Sequence, residues 1–100
     1  MHPPVSPGEI LLEEFMKPLA LSANALARAL HVPPNRIAQI IRPAIPRGIS
    51  AETALRLARY FATSPEFWLN LQSAYDLACE IDVRGDVIER DVQPREAAAQ

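Results

Sequence analysis

Residues 24–42 read NALARALHVPPNRIAQIIR, and this stretch decides the fold. Its apolar residues have the spacing of two short helices that pack across a turn. Ala27 stands where such helices cross closely, because a large side chain there would push them apart. The residues predicted to face inward are Leu26, Leu30, Val32, Ile37 and Ile40. The pattern predicts a helix-turn-helix.

The second helix of this motif would present polar side chains on its outer face. Arg36 favours guanine and Gln39 favours adenine, because each can form two hydrogen bonds with one base edge in the major groove. The alternative is an ordinary solvated polar face. The residues predicted to face DNA from this helix and its end are Asn35, Arg36, Ala38, Gln39 and Arg42.

Residues on both sides of this helix are candidates for contacts with DNA phosphates. Ser22 and Asn24 begin the preceding helix, where side chains and backbone N–H groups can donate to a phosphate. Ser22 is expected to act first as the N-cap of that helix. Arg42 and Arg47 flank the second helix and are cations that phosphates attract.

The charge of the chain is divided into segments of opposite sign. The net charge of −2 over 100 residues, taken alone, argues against a nucleic-acid partner. Residues 22–62, however, hold six arginines against one glutamate, whereas residues 1–21 carry −2 and residues 63–100 carry −5. A basic middle between acidic flanks is typical of a protein that binds phosphate on one part of its surface. Arg56 and Arg59 carry less weight, since they can pair with acids of the tail.

Capping serines and prolines divide the chain into five predicted helices of an all-α fold. Serine before a helix can accept a hydrogen bond from the first turn, and proline suits the first helical position. His31 occupies the turn between the second and third helices, where a left-handed backbone is expected. The helices are predicted to begin after Ser6, after Ser22, at Pro34, after Ser50 and after Ser64. The first ends before Pro18, the second near Leu30, the third near Ile41 or Arg42, and the fifth near Ile81.

The fifth helix carries more apolar surface than one core needs. Trp68 and Leu71 lie in a wide apolar arc that suits core packing. Leu69 and Leu77, in contrast, stand among polar residues on the other side, which indicates self-association. Helix-turn-helix proteins commonly pair to read two half-sites one DNA turn apart. The predicted dimer interface consists of Phe67, Leu69, Leu71, Tyr75 and Leu77.

The chain divides into a helix-turn-helix domain at residues 1–81, which includes the dimerisation helix, and an acidic tail at residues 82–100. The tail is poor in aromatic residues, so a disordered end is the default expectation. The alternative is a segment that becomes ordered on a partner, through its scattered apolar residues. These residues are Val83, Val87, Ile88 and Val92.

Several classes of function find no support in the sequence. The single cysteine, Cys79, has no partner for an intramolecular disulfide. No apolar run approaches the roughly 18 residues of a membrane span, and no signal-peptide pattern begins the chain, so a cytoplasmic protein is expected. His2 and His31 belong to no metal-ligand or catalytic cluster, and no glycine-rich phosphate loop is present. We therefore expect no catalysis, cofactor, metal or small-molecule ligand.

Three blocks of the chain resemble the HigA-type antitoxins of bacterial toxin–antitoxin pairs, within the phage-repressor-like (XRE-type) helix-turn-helix proteins. The blocks are SPGEILLEEFMKPL at residues 6–19, LARALHVPPNRIAQII at residues 26–41 and RGISAETALRLARYFATSPEFWLNLQSAYDL at residues 47–77. The resemblance implies a five-helix domain that dimerises, binds its own operator and represses its operon. It also implies a partner, a small RelE-like toxin that cleaves messenger RNA. An acidic tail would complement such a basic toxin electrostatically.

The chain departs from this family at points that would meet DNA. Pro34 stands where recognition helices of this kind often carry glutamine, and proline cannot read a base. Arg42-Pro43 replaces a common Asn-Gly, His31 replaces a glycine of the turn, and the loop up to Arg47 is longer than usual. The operator of a relative therefore does not transfer to this chain.

Three functions remain open on the sequence alone. The first is an operator-binding antitoxin that neutralises a toxin. The second is a stand-alone transcriptional repressor without a toxin. The third is a protein-docking module that no longer reads DNA, which Pro34 and the net acidity would permit.

Overall fold

The computed structural model describes residues 4–96, which form five helices. Helix α1 is α-helical over Pro7–Ile10 and continues as a π-helix over Leu11–Met16. The others are α2 (Ala23–Leu30), α3 (Arg36–Ile41), α4 (Ala51–Phe61) and α5 (Pro65–Asp91). No strand occurs within residues 4–96, and the predicted all-α fold class is confirmed. His2 and the last four tail residues, 97–100, lie outside the described residues.

Four serines cap helices as predicted. Each accepts a hydrogen bond through its side-chain oxygen from the backbone N–H three residues further on. Such a cap stabilises a helix by about 1 kcal/mol. Local sequence therefore determines where four of the five helices begin. The capping residues are Ser6, Ser22, Ser50 and Ser64.

Helix α3 begins at Arg36, two residues after the start predicted at Pro34. Pro34 instead belongs to a turn in which the Arg36 N–H donates to the Pro33 carbonyl at 3.0 Å. This hydrogen bond closes a turn over Pro34 and Asn35, and the regular helix begins only after that turn. His31 adopts the left-handed backbone expected of it, with φ 59° and ψ 46°.

Helices α2 and α3 pack as the predicted helix-turn-helix. Every residue predicted to face inward is buried except Val32, which is half-buried and packs against the same core. Ala27 is 1% exposed, as a close crossing requires. The buried set is Leu26, Ala27, Leu30, Ile37 and Ile40.

The close approach of α1 to α3 depends on Gly8. A Cβ atom at this position would overlap the carbonyl oxygen of Ile40. That neighbour is backbone, which cannot move aside as the end of a flexible side chain can. The missing side chain therefore sets how α3 sits on the rest of the domain.

An aromatic cluster joins α1, α4 and α5. Trp68 has no solvent exposure, and its indole N–H donates to Thr63 Oγ1 at 2.8 Å. The Phe15 ring centroid lies 4.9 Å from that of Phe61 and 5.0 Å from that of Trp68, in tilted geometries that aromatic pairs favour. Core packing is confirmed for Trp68, and Leu71 packs half-buried against the same core.

Helix α5 extends well beyond its predicted end near Ile81. It continues to Asp91, so the expectation of a disordered end is wrong for residues 82–91. An ion pair between Arg84 and Glu80, one turn apart, supports this part of the helix. Across residues 4–96, no helix has both the length and the apolar character to cross a membrane.

Candidate nucleic-acid interface

The outer face of α3 is accessible while its inner face is fully buried. Ile37 and Ile40 have no solvent exposure, whereas Asn35 and Ala38 are exposed. Asn35 directly precedes the helix, and its side chain makes no capping hydrogen bond. The Asn35 amide is therefore available to an external partner. The small side chain of Ala38 lets a partner approach the helix backbone closely.

Arg36 departs from the outward orientation predicted for it. The residue is half-buried, and its Nε is shielded from solvent without a hydrogen-bond partner among the described residues. A buried donor left unpaired costs about 1–3 kcal/mol. The side chain therefore lies partly against the protein, and a DNA contact has to come through its outer nitrogens, Nη1 and Nη2.

Gln39 and Arg47 are joined by two hydrogen bonds. The Arg47 backbone N–H donates to the Gln39 carbonyl at 2.9 Å, and Arg47 Nη1 donates to Gln39 Oε1 at 2.8 Å. Because a guanidinium can only donate, this contact fixes which end of the Gln39 amide carries the oxygen. The amide nitrogen and one remaining lone pair of Oε1 are left for a base edge. Arg47 is thus a positioning partner of Gln39 as well as a cation beside α3.

Arg42 holds the loop that follows α3. Its Nε donates to the Ile45 carbonyl at 2.8 Å, across a segment bounded by Pro43 and Pro46. Together with the bonds between Gln39 and the loop, this contact ties the segment to the end of α3. Arg42 itself is exposed.

Ser22 and Asn24 lie at the start of α2, as predicted. Ser22 Oγ accepts a hydrogen bond from the Ala25 N–H at 3.1 Å, which confirms its capping role. Both Ser22 and Asn24 are exposed. The hydroxyl proton of Ser22 is not used by the cap, so it can still be donated.

Arg56 is not paired with an acid of the tail, and the expectation for it is wrong. It forms an ion pair with Glu52 at 3.0 Å, and its Nη1 donates to the Leu30 carbonyl at 2.8 Å. Arg56 therefore satisfies a carbonyl at the end of α2. Arg59 lies one turn further along α4 and is exposed.

The residues predicted for a dimer interface differ in how far they are exposed. Phe67 and Leu77 are 38% and 62% exposed. Leu69 packs half-buried against the core, and Tyr75 is half-buried beside Cys79. Burial raises the pKa of the Tyr75 phenol, and its hydrogen bond with Cys79 adds to the rise.

A continuous apolar line along α5 was missed by the sequence analysis. Eight apolar or small residues follow one another at alternating steps of four and three, the heptad spacing of a coiled coil. The heptad spacing is present in the sequence, but the predicted helix end near Ile81 divides it between the helix and the tail. Ile81 and Ile88 are 60% and 50% exposed. This line, the α5 seam, consists of Phe67, Leu71, Ala74, Ala78, Ile81, Gly85 and Ile88 within α5 and of Val92, the residue that directly follows the helix.

Comparison with known proteins decides the family. A family model described as Helix-turn-helix matches residues 12–68, more than half of the chain. The chain belongs to this helix-turn-helix family. The resemblance to HigA-type antitoxins is likewise confirmed, because the solved structure of the Pseudomonas aeruginosa antitoxin HigA with the higBA promoter is similar throughout. It shares 48% identity at a TM-score of 0.87, covering 91% of this chain and 97% of that one.

Two curated relatives extend the comparison. Virulence-associated protein I of Dichelobacter nodosus is 60% identical over 75 residues, covering 75% of this chain and 68% of the relative. Antitoxin HigA-1 of Vibrio cholerae is 40% identical over 74 residues, covering 74% of this chain and 67% of the relative. The chain thus spans about two thirds of the length of these curated relatives.

Proposed function

We propose that this chain is a homodimeric antitoxin that acts in the cytoplasm, where it represses its own operon and neutralises a RelE-like toxin. The observation that carries the DNA-binding part is the outer face of α3, where Asn35 and Ala38 are exposed and Gln39 is half-buried above a buried inner face. Arg42 and Arg47 lie beside this face, so cations accompany the groups that would read bases. The similarity to an antitoxin solved with its promoter supports the same use of the motif here.

Base reading is assigned to α3 and phosphate contacts to its surroundings. Asn35, Arg36 and Gln39 would read bases, and a good bidentate pair contributes about 1–3 kcal/mol of discrimination. Arg42 and Arg47 would contact phosphates from the end of α3 and the following loop. Ser22 and Asn24 would do so from the start of α2, together with backbone N–H groups.

Two copies would pair along the α5 seam. Ile81 and Ile88 are exposed on a helix that extends beyond the body of the domain, and Val92 is exposed at its end. A soluble monomer rarely leaves so long an apolar line in water. Ala74, Ala78 and Gly85 within the seam would let two helices approach closely. Leu77 lies beside the seam and would contribute at its edge. Pairing would bring two α3 helices into one particle, as two half-sites require.

Toxin binding is proposed for the acidic outer part of α5. Residues 80–91 carry five acids and two arginines, and their exposed carboxylates would attract the basic surface of a ribosome-directed nuclease. Asp86 lies on a side of α5 well away from the seam, so its replacement leaves dimerisation intact. We expect D86K to bind the toxin more weakly and with a slower on-rate, while binding to DNA stays at least as tight. Unchanged toxin affinity would remove this surface from the proposal.

The DNA-binding proposal is tested by a mobility shift with the region upstream of the chain's own gene. We expect wild type to shift this duplex at concentrations that leave an unrelated duplex free. Arg36→Ala and Gln39→Ala should each lose about 1–3 kcal/mol of that preference. Arg59→Ala, an exposed arginine of α4 outside the assigned contacts, is the matched control and should bind as wild type does.

Two other outcomes would redirect the proposal. Equal binding to both duplexes would make a docking module the better description, with the arginines of residues 22–62 an ordinary solvated face. A specific shift in a protein whose neighbouring gene encodes no small basic partner would instead indicate a stand-alone repressor.

A further inference from the structure

Ile45 is the most exposed large apolar side chain among the described residues. It is 84% exposed and sits at the tip of the loop between α3 and α4. Its backbone is left-handed, with φ 49°. A β-branched residue is a genuine outlier in this region, which glycine, asparagine and aspartate occupy far more readily.

The loop gives Ile45 little freedom to escape this conformation. Its carbonyl accepts the hydrogen bond from Arg42 Nε at 2.8 Å, and two residues later the Arg47 N–H is held by the Gln39 carbonyl at 2.9 Å. Pro43 and Pro46 on either side each fix one φ angle. The restrained backbone thus presents the side chain to solvent, between two arginines in the sequence.

Packing within the domain does not account for this isoleucine. With 84% of its surface in water, it contributes little to the core, while its backbone costs conformational energy. Strained residues held by their surroundings gather at functional sites. The loop is also tied to Gln39, which belongs to the accessible face of α3. Ile45 is therefore presented beside the groups to which the proposed function assigns DNA contacts.

We propose that Ile45 is an apolar DNA contact that packs against C–H surface at the edge of the half-site. Two parts of DNA offer such surface next to a recognition helix, the deoxyribose and the thymine methyl group. The flanking Arg42 and Arg47 would hold phosphates while Ile45 excludes water between them. This inference rests on the proposed DNA-binding function and adds to it a residue that uses no charge.

The test measures affinity for the upstream duplex by fluorescence anisotropy at several salt concentrations. Ile45→Ala should bind about fivefold to tenfold more weakly, as expected for the loss of a partly buried aliphatic side chain. Ile45→Asn is the second variant, because asparagine tolerates the left-handed backbone and leaves the loop shape intact. It should unfold at the same or a higher temperature than wild type and still bind more weakly.

Two readouts separate this contact from a charged one. The salt slope of both Ile45 variants should equal that of wild type, because no phosphate neutralisation is lost, whereas Arg47→Ala should flatten it by about one. Leu55→Ala, which shortens another exposed apolar side chain on α4, is the matched control and should leave affinity unchanged.

Replacing single thymines by deoxyuracil identifies the part of DNA involved. A position where deoxyuracil weakens wild type but not Ile45→Ala assigns the contact to a thymine methyl group. No such position, with the Ile45 variants still weak, assigns it to deoxyribose.

Wild-type affinity in both Ile45 variants would overturn this inference while leaving the proposed function standing. Failure of wild type to prefer the upstream duplex would overturn the proposed function and this inference together.

Discussion

Helix α3 and the outer part of α5 both expose side chains, but they do so in opposite ways. The six residues of α3 are packed on one side, held by a loop at their end, and show polar groups to solvent. The outer part of α5 packs on nothing in the described chain and shows isoleucine and valine. Isolated helical segments of about ten residues are marginal in water. The first region is therefore folded before any partner binds, whereas we propose that the second is stabilised by pairing with another copy of the chain.

Gly8→Ala should have the largest effect, because it disrupts the close contact through which α1 supports α3. The new Cβ would overlap the Ile40 carbonyl, so either α1 or α3 must move. We expect a loss of about 3 kcal/mol or more in the free energy of unfolding, measured by urea denaturation. Gly48→Ala is the control, since its Cβ would meet only the Gln72 side chain at ordinary contact distance, 3.5 Å. Equal stability of the two variants would show that the α1–α3 contact is looser than described.

Ile88→Asp should have the next largest effect and act only on α5. A carboxylate inside an apolar helix pair is desolvated without a partner, so the dimer dissociation constant should rise at least about tenfold. Sedimentation velocity measures this change directly. Val83→Asp places the same charge on the opposite face of the helix and should leave the dimer intact. A monomeric wild type, or equal dissociation of both variants, would show that the seam is not the interface.

Arg47→Ala should have a smaller effect, confined to the α3 region. It removes a cation, so affinity for every duplex should fall and the salt slope should lose about one. It also removes the donor that orients the Gln39 amide, so part of the discrimination against wrong sequences should fall with it. A double-mutant cycle with Gln39→Ala measures that coupling. Additive effects of the two changes would mean that Arg47 does not position Gln39.

Ser64→Ala should have the smallest effect of the four. It removes the N-cap of α5, so the free energy of unfolding should fall by about 1 kcal/mol. The affinity of the folded protein for DNA should stay unchanged. Differential scanning calorimetry detects this as a lower Tm. Ser73→Ala, an exposed serine within the same helix, is the control and should be neutral or slightly stabilising. A drop of equal size in both variants would argue against the cap.

The sequence predicted most of the α3 region and only half of the α5 region. Buried periodicity and side-chain caps act over a few residues, so the inward residues of α2 and α3 and all four serine caps could be identified. The start of α3 was placed too early, because two consecutive prolines suit a turn as well as a first helical position. The Arg47–Gln39 and Arg42–Ile45 contacts depend on how the loop folds back, and no local pattern encodes that.

The outer part of α5 was missed for a different reason. Valine and Gly85 lower the helix propensity of this segment. Its high charge is typical of a solvated tail when one chain is considered alone. The heptad spacing of the seam outweighs these signals only if a second copy is included. The pattern within one chain therefore predicts a helix end near Ile81, beyond which the side chains are exposed.

The most direct measurement is the affinity of Ile88→Asp for the upstream duplex, with Val83→Asp measured alongside. We propose that α3 reads DNA specifically because pairing along the α5 seam places two copies of α3 in one particle. Ile88→Asp, although its α3 residues are untouched, should therefore lose preference for the upstream duplex over an unrelated one, while Val83→Asp should keep it. Wild-type preference in a monomeric Ile88→Asp would contradict this proposal.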